Sequence, residues 1–153
     1  MVGRAMNEIV CATRGGEGSR AVQQAAIEQA KATGNPLVFL YVAAPGSLGN
    51  VSPVLEAAVR EELIWLGKAL LFVAEKRAHD AGLDVETIIR QGPVLDEICS
   101  YLTTNNVSIL LLGAPRGTTS QLFGDDPVER FASNIHQRTG VNVEIIRPED
   151  KSK

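Results

Sequence analysis

The residues best placed to do chemistry lie between Leu110 and Pro127, which read Leu-Leu-Leu-Gly-Ala-Pro-Arg-Gly-Thr-Thr-Ser-Gln-Leu-Phe-Gly-Asp-Asp-Pro. An apolar run empties into a glycine-punctuated loop, and the loop ends where a helix begins. In an open α/β sheet, the carboxyl end of a strand beside a helix start is where an anion or phosphate settles, because unpaired backbone N–H groups point there. Gly113, Gly117 and Gly124 free the backbone, Thr118, Thr119 and Ser120 offer hydroxyls, and Arg116 offers a positive charge. Asp125 and Asp126 argue the other way, since they stand where an anion needs bare N–H groups.

A second glycine-containing turn follows an earlier apolar run: Glu8-Ile-Val-Cys-Ala-Thr13 leads into Arg14-Gly-Gly-Glu-Gly-Ser19. That turn bears a faint likeness to the Ser-Gly-Gly-x-Asp-Ser loop of ATP pyrophosphatases. The outer glycines and Ser19 fit, but Arg14 replaces the leading Ser and Gly18 the Asp. Adenylating chemistry needs that loop to cradle pyrophosphate and a metal. The crevice loops also contain no His or Cys to serve as base or nucleophile, so the expectation is a protein that is not an enzyme. Cys11 and Cys99 are too few for a disulfide framework or a metal set and read as core residues. His79 and His136 lack acidic or thiol neighbours at ligand spacing and read as solvated helix residues.

The elements that position these loops alternate. Glu8–Thr13 is a buried strand; a helix from Arg20 to Thr33 presents Ala21, Val22, Ala25, Ala26 and Ala30, and Gly34-Asn-Pro36 stops it. Leu37–Val42 is the second strand. After a Gly-, Pro- and Ser-rich loop, Ser52 caps a long helix opened by Pro53 and reaching Ala81. Its spacing predicts an inner stripe of Val59, Leu63, Leu66, Leu70, Val73 and Ala74, with Trp65 off that stripe as a contact residue. Val85–Arg90 is the third strand. Gln91-Gly-Pro93 turns into a helix reaching Thr104, with Val94, Leu95, Ile98, Cys99 and Leu102 inward. Val107–Leu112 is the fourth strand. Asp126-Pro-Val-Glu129 reads as a capping box for a helix to Arg138, closed by Gly140, and Val141–Ile146 is the last strand. Strand and helix alternate throughout, so right-handed crossovers dictate a five-stranded parallel, doubly wound α/β sheet with helices on both faces.

At 153 residues the chain is expected to form one domain over 1–153, its core running from about 7 to 147. A net charge of −3 and a pI near 5.4 give no basis for binding nucleic acid. The apolar runs are too short for membrane insertion, and the first residues lack the apolar core of a signal peptide, so a cytoplasmic location is expected.

Four ordered stretches resemble the universal stress protein family over roughly Asn7 to Arg147: the opening strand with its turn and Ser19; Val38-Phe-Leu-Tyr-Val42; Gln91-Gly-Pro-Val-Leu-Asp-Glu-Ile98 with Asn105 to Gly113; and Val128-Glu-Arg130 leading to Gly140-Val-Asn-Val143. The resemblance implies an adenine nucleotide alpha hydrolase-like sheet ordered 3-2-1-4-5. It also implies a homodimer through strand 141–146 and a role in stress response or regulation through a protein partner of unknown identity. Some members bind ATP with an Asp after the first strand and a Gly-x2-Gly-x9-Gly-Ser/Thr pattern after the fourth; others lack the pattern and do not hold ATP.

This chain departs from that pattern at each anchor. Arg14 stands in the position of the Asp, Gly113-Ala-Pro-Arg-Gly117 is one residue too long, and Asp125-Asp126 align with the closing pair, although Gly124 can slide into the glycine's place. A triphosphate within ~4 Å of a carboxylate meets repulsion of about 4 kcal/mol per charge pair at an effective dielectric near 20, which weakens binding several hundredfold. Asp126 can equally be only a helix cap that leaves room for a ligand nearby.

The leading expectation is therefore a regulatory module with no firm cofactor and no strong ATP binding. The alternative keeps AMP or ATP in an altered pose. The candidate nucleotide or anion crevice comprises Thr13, Arg14, Gly15, Val42, Gly113, Arg116, Gly117, Thr118, Gly124, Asp125 and Asp126. Val42 would bound the base. Arg14 and Arg116 have three arrangements open to them: pairing with Asp125 or Asp126, binding a small anion or monophosphate, or simple exposure.

Overall fold

In the computed structural model, residues 7–13, 19–44, 52–114 and 127–148 are described. They form β1 (Glu8–Ala12), α1 (Ser19–Thr33), β2 (Leu37–Ala43), α2 (Pro53–Asp80), β3 (Glu86–Gln91), α3 (Val94–Thr104), β4 (Val107–Gly113), α4 (Pro127–Thr139) and β5 (Asn142–Ile146). The strands are all parallel in the order β3-β2-β1-β4-β5, as the alternation of elements and the family resemblance lead one to expect. The three inner strands are apolar almost throughout because both of their faces are covered by helices.

Strand alternation divides the core into two layers. Ile9, Cys11, Phe39, Tyr41 and Leu111 face α1 and α2 on one side. Val10, Val38, Leu40, Leu110 and Leu112 face α3 and α4 on the other. Both cysteines are free and buried, in keeping with their reading as core residues. Burial pushes the Cys11 thiol up to about 12, because a thiolate there would lose its hydration.

The helices start and stop where the chain's local chemistry dictates. Ser52 caps α2 by accepting a hydrogen bond from the Leu55 N–H, with Pro53 at the first helical position. The expected capping role of Asp126 lies outside the described residues. Gly92 has φ +137, and a Cβ there would come within 2.8 Å of Glu97 Oε2, so only glycine makes the tight turn from β3 into α3.

Two helical stripes are rotated from their expected positions. In α1 the buried residues are Val22, Gln23, Ala26, Ile27 and Ala30, while Ala21 and Ala25 are half-buried. Gln23 tolerates burial because its amide is satisfied: Nε2 donates to Ser19 Oγ and Oε1 accepts from Arg77 of α2. In α2 the buried residues are Gly67, Leu71, Ala74 and Ala78, whereas Leu66 and Val73 are exposed and Val59 is only half-buried. The reason is steric. Gly67 lies against the Tyr41 ring, where any Cβ would collide, so α2 approaches the sheet along its small residues and turns the bulky ones outward. Trp65 is exposed, as its place off the stripe suggested. In α3, Tyr101 is buried although the sequence did not place it there, and Val94 is exposed at the helix start.

Candidate functional site

The carboxyl ends of β1 and β4 lie side by side, with Ala12 opposite Leu112. From β1 the chain crosses to β2 on one side of the sheet, while β4 continues to β5 on the other. This is the switch point at which doubly wound sheets open a crevice. A cavity of about 410 Å3 occupies it, lined by Ala12 and Thr13 after β1, Leu40 and Val42 of β2, Leu112 and Gly113 of β4, Val94 and Ile98 of α3, and Pro127, Val128 and Phe131 of α4. That volume lies within the range of small-molecule sites, roughly 300–1,000 Å3.

Of the residues singled out in the sequence, Thr13, Val42 and Gly113 meet in this crevice. Arg14, Gly15, Arg116, Gly117, Thr118, Gly124, Asp125 and Asp126 lie outside the described residues. So does the question of whether the two arginines pair with the two aspartates. The sequence reading missed Phe131, Val128 and Ile98 as lining residues. The available signal was positional: the first turns of α3 and α4 flank the switch point, so apolar residues in those turns must face it.

The lining is apolar with one exception. Thr13 is 3% exposed, and its side chain lies against the Cys11 thiol on the same side of the strand. Its backbone is held in place, because Thr13 N–H donates to Leu40 O at 2.8 Å. An apolar slot of this size suits a flat heteroaromatic or nucleoside. It offers no described side chain that is an acid, a base or a thiol.

The walls are braced from outside the crevice. Arg138 of α4 reaches Asp96 of α3 at 3.2 Å, an exposed contact that links the two helices flanking the opening. At the far end of the sheet, Tyr101 Oη donates to Glu8 Oε1 at 2.9 Å and the Arg90 guanidinium lies 5.4 Å from the ring centre. Burial, reinforced by the bond to Glu8, holds the Tyr101 phenol well above the ordinary tyrosine range. Among the described residues no group of His, Cys, Asp and Glu is arranged to hold a metal ion. No helix among them is long and apolar enough to cross a membrane.

Several solved structures share this architecture. A universal stress protein, UspA, from Lactobacillus plantarum superposes with a TM-score of 0.74 at 17% identity, covering 95% of this chain and 100% of that one. A universal stress protein family member from Arabidopsis thaliana with AMP bound matches at 0.66 and 17% identity, over 94% of this chain and 92% of that one. The universal stress protein from Archaeoglobus fulgidus in complex with dAMP matches at 0.58 and 17% identity, over 92% and 97% of the two chains. No curated protein sequence matches the chain. The family's own sequence profile, by contrast, matches residues 6–145, and with the strand order and switch-point crevice in agreement, the chain belongs to the Universal stress protein family.

Proposed function

We propose that this protein is a non-catalytic regulatory module whose crevice receives the nucleoside part of an adenine nucleotide and discriminates against a triphosphate. The observation that carries the reading is the apolar cavity of about 410 Å3 at the switch point, lined by Val42, Leu112, Gly113, Ile98 and Phe131. The nucleotides bound by the Arabidopsis and Archaeoglobus proteins support adenine as the base. Discrimination against ATP follows from the charges in the sequence: Asp125 and Asp126 replace the glycine and hydroxyl that would grip the outer phosphates. Catalysis has no support in the described lining, which carries neither nucleophile nor base. The reading includes a cytoplasmic location, which suits two buried free cysteines. It also includes a homodimer through β5, which ends the sheet order and pairs through one edge with β4.

Titration calorimetry with AMP and ATP tests the ligand directly. AMP is expected to bind the wild type at least tenfold more tightly than ATP, and Asp125→Asn with Asp126→Asn to narrow that gap. ATP bound by the wild type as tightly as AMP would overturn the discrimination. Absence of adenylate binding at millimolar concentration would favour the second reading, suggested by the opposite charges of Arg14, Arg116, Asp125 and Asp126. In that reading the four residues close the crevice on themselves, and the protein acts by contact with others.

A further inference from the structure

The outward face of α2 is apolar over several turns and exposed among the described residues. Trp65 is 67% exposed and Phe72 65%, with Leu66 and Val73 beside them at 41% and 44%. With 3.6 residues per turn, Ala58, Glu62, Trp65, Leu66, Ala69, Phe72, Val73 and Lys76 share one side of the helix. That side is opposite the buried line of Gly67, Leu71, Ala74 and Ala78. The spacing of Glu62, Trp65, Ala69, Phe72 and Lys76 alternates threes and fours, the pattern of a helix seam that packs against another helix.

We propose that this face pairs with the same face of a second copy, the two α2 helices running antiparallel about a two-fold axis at Ala69. The pattern around Ala69 is self-complementary. Residues equidistant from it meet across such an axis: Glu62 opposes Lys76 of the second copy, Trp65 packs on Val73, and Leu66 packs on Phe72. Each of these contacts occurs twice. Ala69 itself sits at the closest approach, where a methyl group lets the helices come within the 8–10 Å of a packed pair. The mixed charges of Glu61, Glu62, Lys68, Glu75 and Lys76 around the apolar line suit a copy of the same helix, whereas an anionic membrane would call for a basic border.

The area is of the right order. The exposed parts of Trp65, Leu66, Phe72 and Val73 come to roughly 450 Å2 per copy, as large as the main apolar patch of a typical monomer. The pair would bury about 900 Å2 from these side chains alone, and the charged flanks and Leu55 bring the total near the roughly 1,200 Å2 at which stable interfaces begin. The contact is separate from β5, since α2 packs over β2 and β3 at the opposite end of the sheet order.

Cysteine cross-linking of the full chain tests the axis, and the two native cysteines are buried and give little background. Under mild oxidation Ala69→Cys is expected to form a disulfide-linked dimer, and Ala57→Cys, elsewhere on the exposed N-terminal part of α2, is not. In multi-angle light scattering, Trp65→Glu with Phe72→Glu should remove one association step. Glu62→Lys alone and Lys76→Glu alone should each weaken association about threefold to tenfold, and the double swap should restore it. These variants change exposed residues, and an unchanged melting temperature in dilute solution identifies them as folded. Cross-linking of Ala57→Cys as readily as Ala69→Cys, or an association state indifferent to the glutamates at 65 and 72, would overturn the proposal. Neither measurement involves the crevice, so its result is independent of nucleotide binding.

Discussion

The two helical layers of this sheet differ in where they leave surface unsatisfied. The α1–α2 layer closes tightly on the sheet through Ala26, Ala30, Gly67, Ala74 and Ala78 and sends its bulk outward as Trp65 and Phe72. The α3–α4 layer does the reverse. Its outer side is polar, with Arg138 bridging to Asp96, and its inner side parts at the strand ends to leave an apolar crevice. Small residues on a helix thus serve packing on one layer, and apolar residues in the first turns of helices serve a cavity on the other. In the roles proposed above, the difference separates a ligand on one face from a second copy on the other.

The sharpest way to break this comparison is to exchange adjacent residues of α2. Leu71→Ala, at a buried position facing the sheet, is expected to cost about 2–5 kcal/mol of stability in urea melts. Phe72→Ala, one position along but facing outward, should change dilute-solution stability by less than about 0.5 kcal/mol. Equal costs would mean that α2 is not seated as described.

A smaller effect probes how close the helix lies. Gly67→Ala places a Cβ against the Tyr41 ring and should cost about 1–3 kcal/mol through overpacking, despite alanine's better helix propensity. A stabilising Gly67→Ala would show that α2 stands off the sheet.

The smallest effect reads the dryness of that layer through pH. The Cys11 thiol is raised in the folded state from 9.0 to about 12, so between those values the unfolded chain gives up its proton while the folded chain keeps it. Its contribution to stability is therefore present in full below pH 9 and is lost as pH rises toward 12. The slope steepens to at most about 1.4 kcal/mol per pH unit. Urea melts at pH 8, 9 and 10 should show this decline in the wild type and a shallower one in Cys11→Val. Identical slopes would mean that water reaches the thiol.

Much of the fold was legible because its signals are local and redundant. The apolar run from Val107 to Leu112, the Ser52-Pro53 start of α2 and the glycines that end helices each act within a few residues, so no distant contact is needed to interpret them. The crevice was legible only at its strand ends. Thr13, Val42 and Gly113 follow from the rule that ligands sit at the carboxyl ends of strands, whereas Phe131 and Val128 required knowing how α4 seats against β5 and α3.

By itself the sequence determined the alternation of elements, the parallel sheet, the two buried cysteines and the acidic pair where a phosphate grip would be, because each depends on residue type and short spacing. Only the tertiary structure decided which side of α2 faces the sheet. Helical periodicity predicts one stripe through Val59, Leu63, Leu66, Leu70, Val73 and Ala74. The buried line instead runs through Gly67, Leu71, Ala74 and Ala78, with Leu63 and Leu70 packed at its edge and Leu66 and Val73 facing outward. Hydrophobicity favours the bulkier line, but close packing over Tyr41 selects the smaller one. The bulky side chains were turned outward by a steric contact between residues far apart in the chain, which no local pattern encodes.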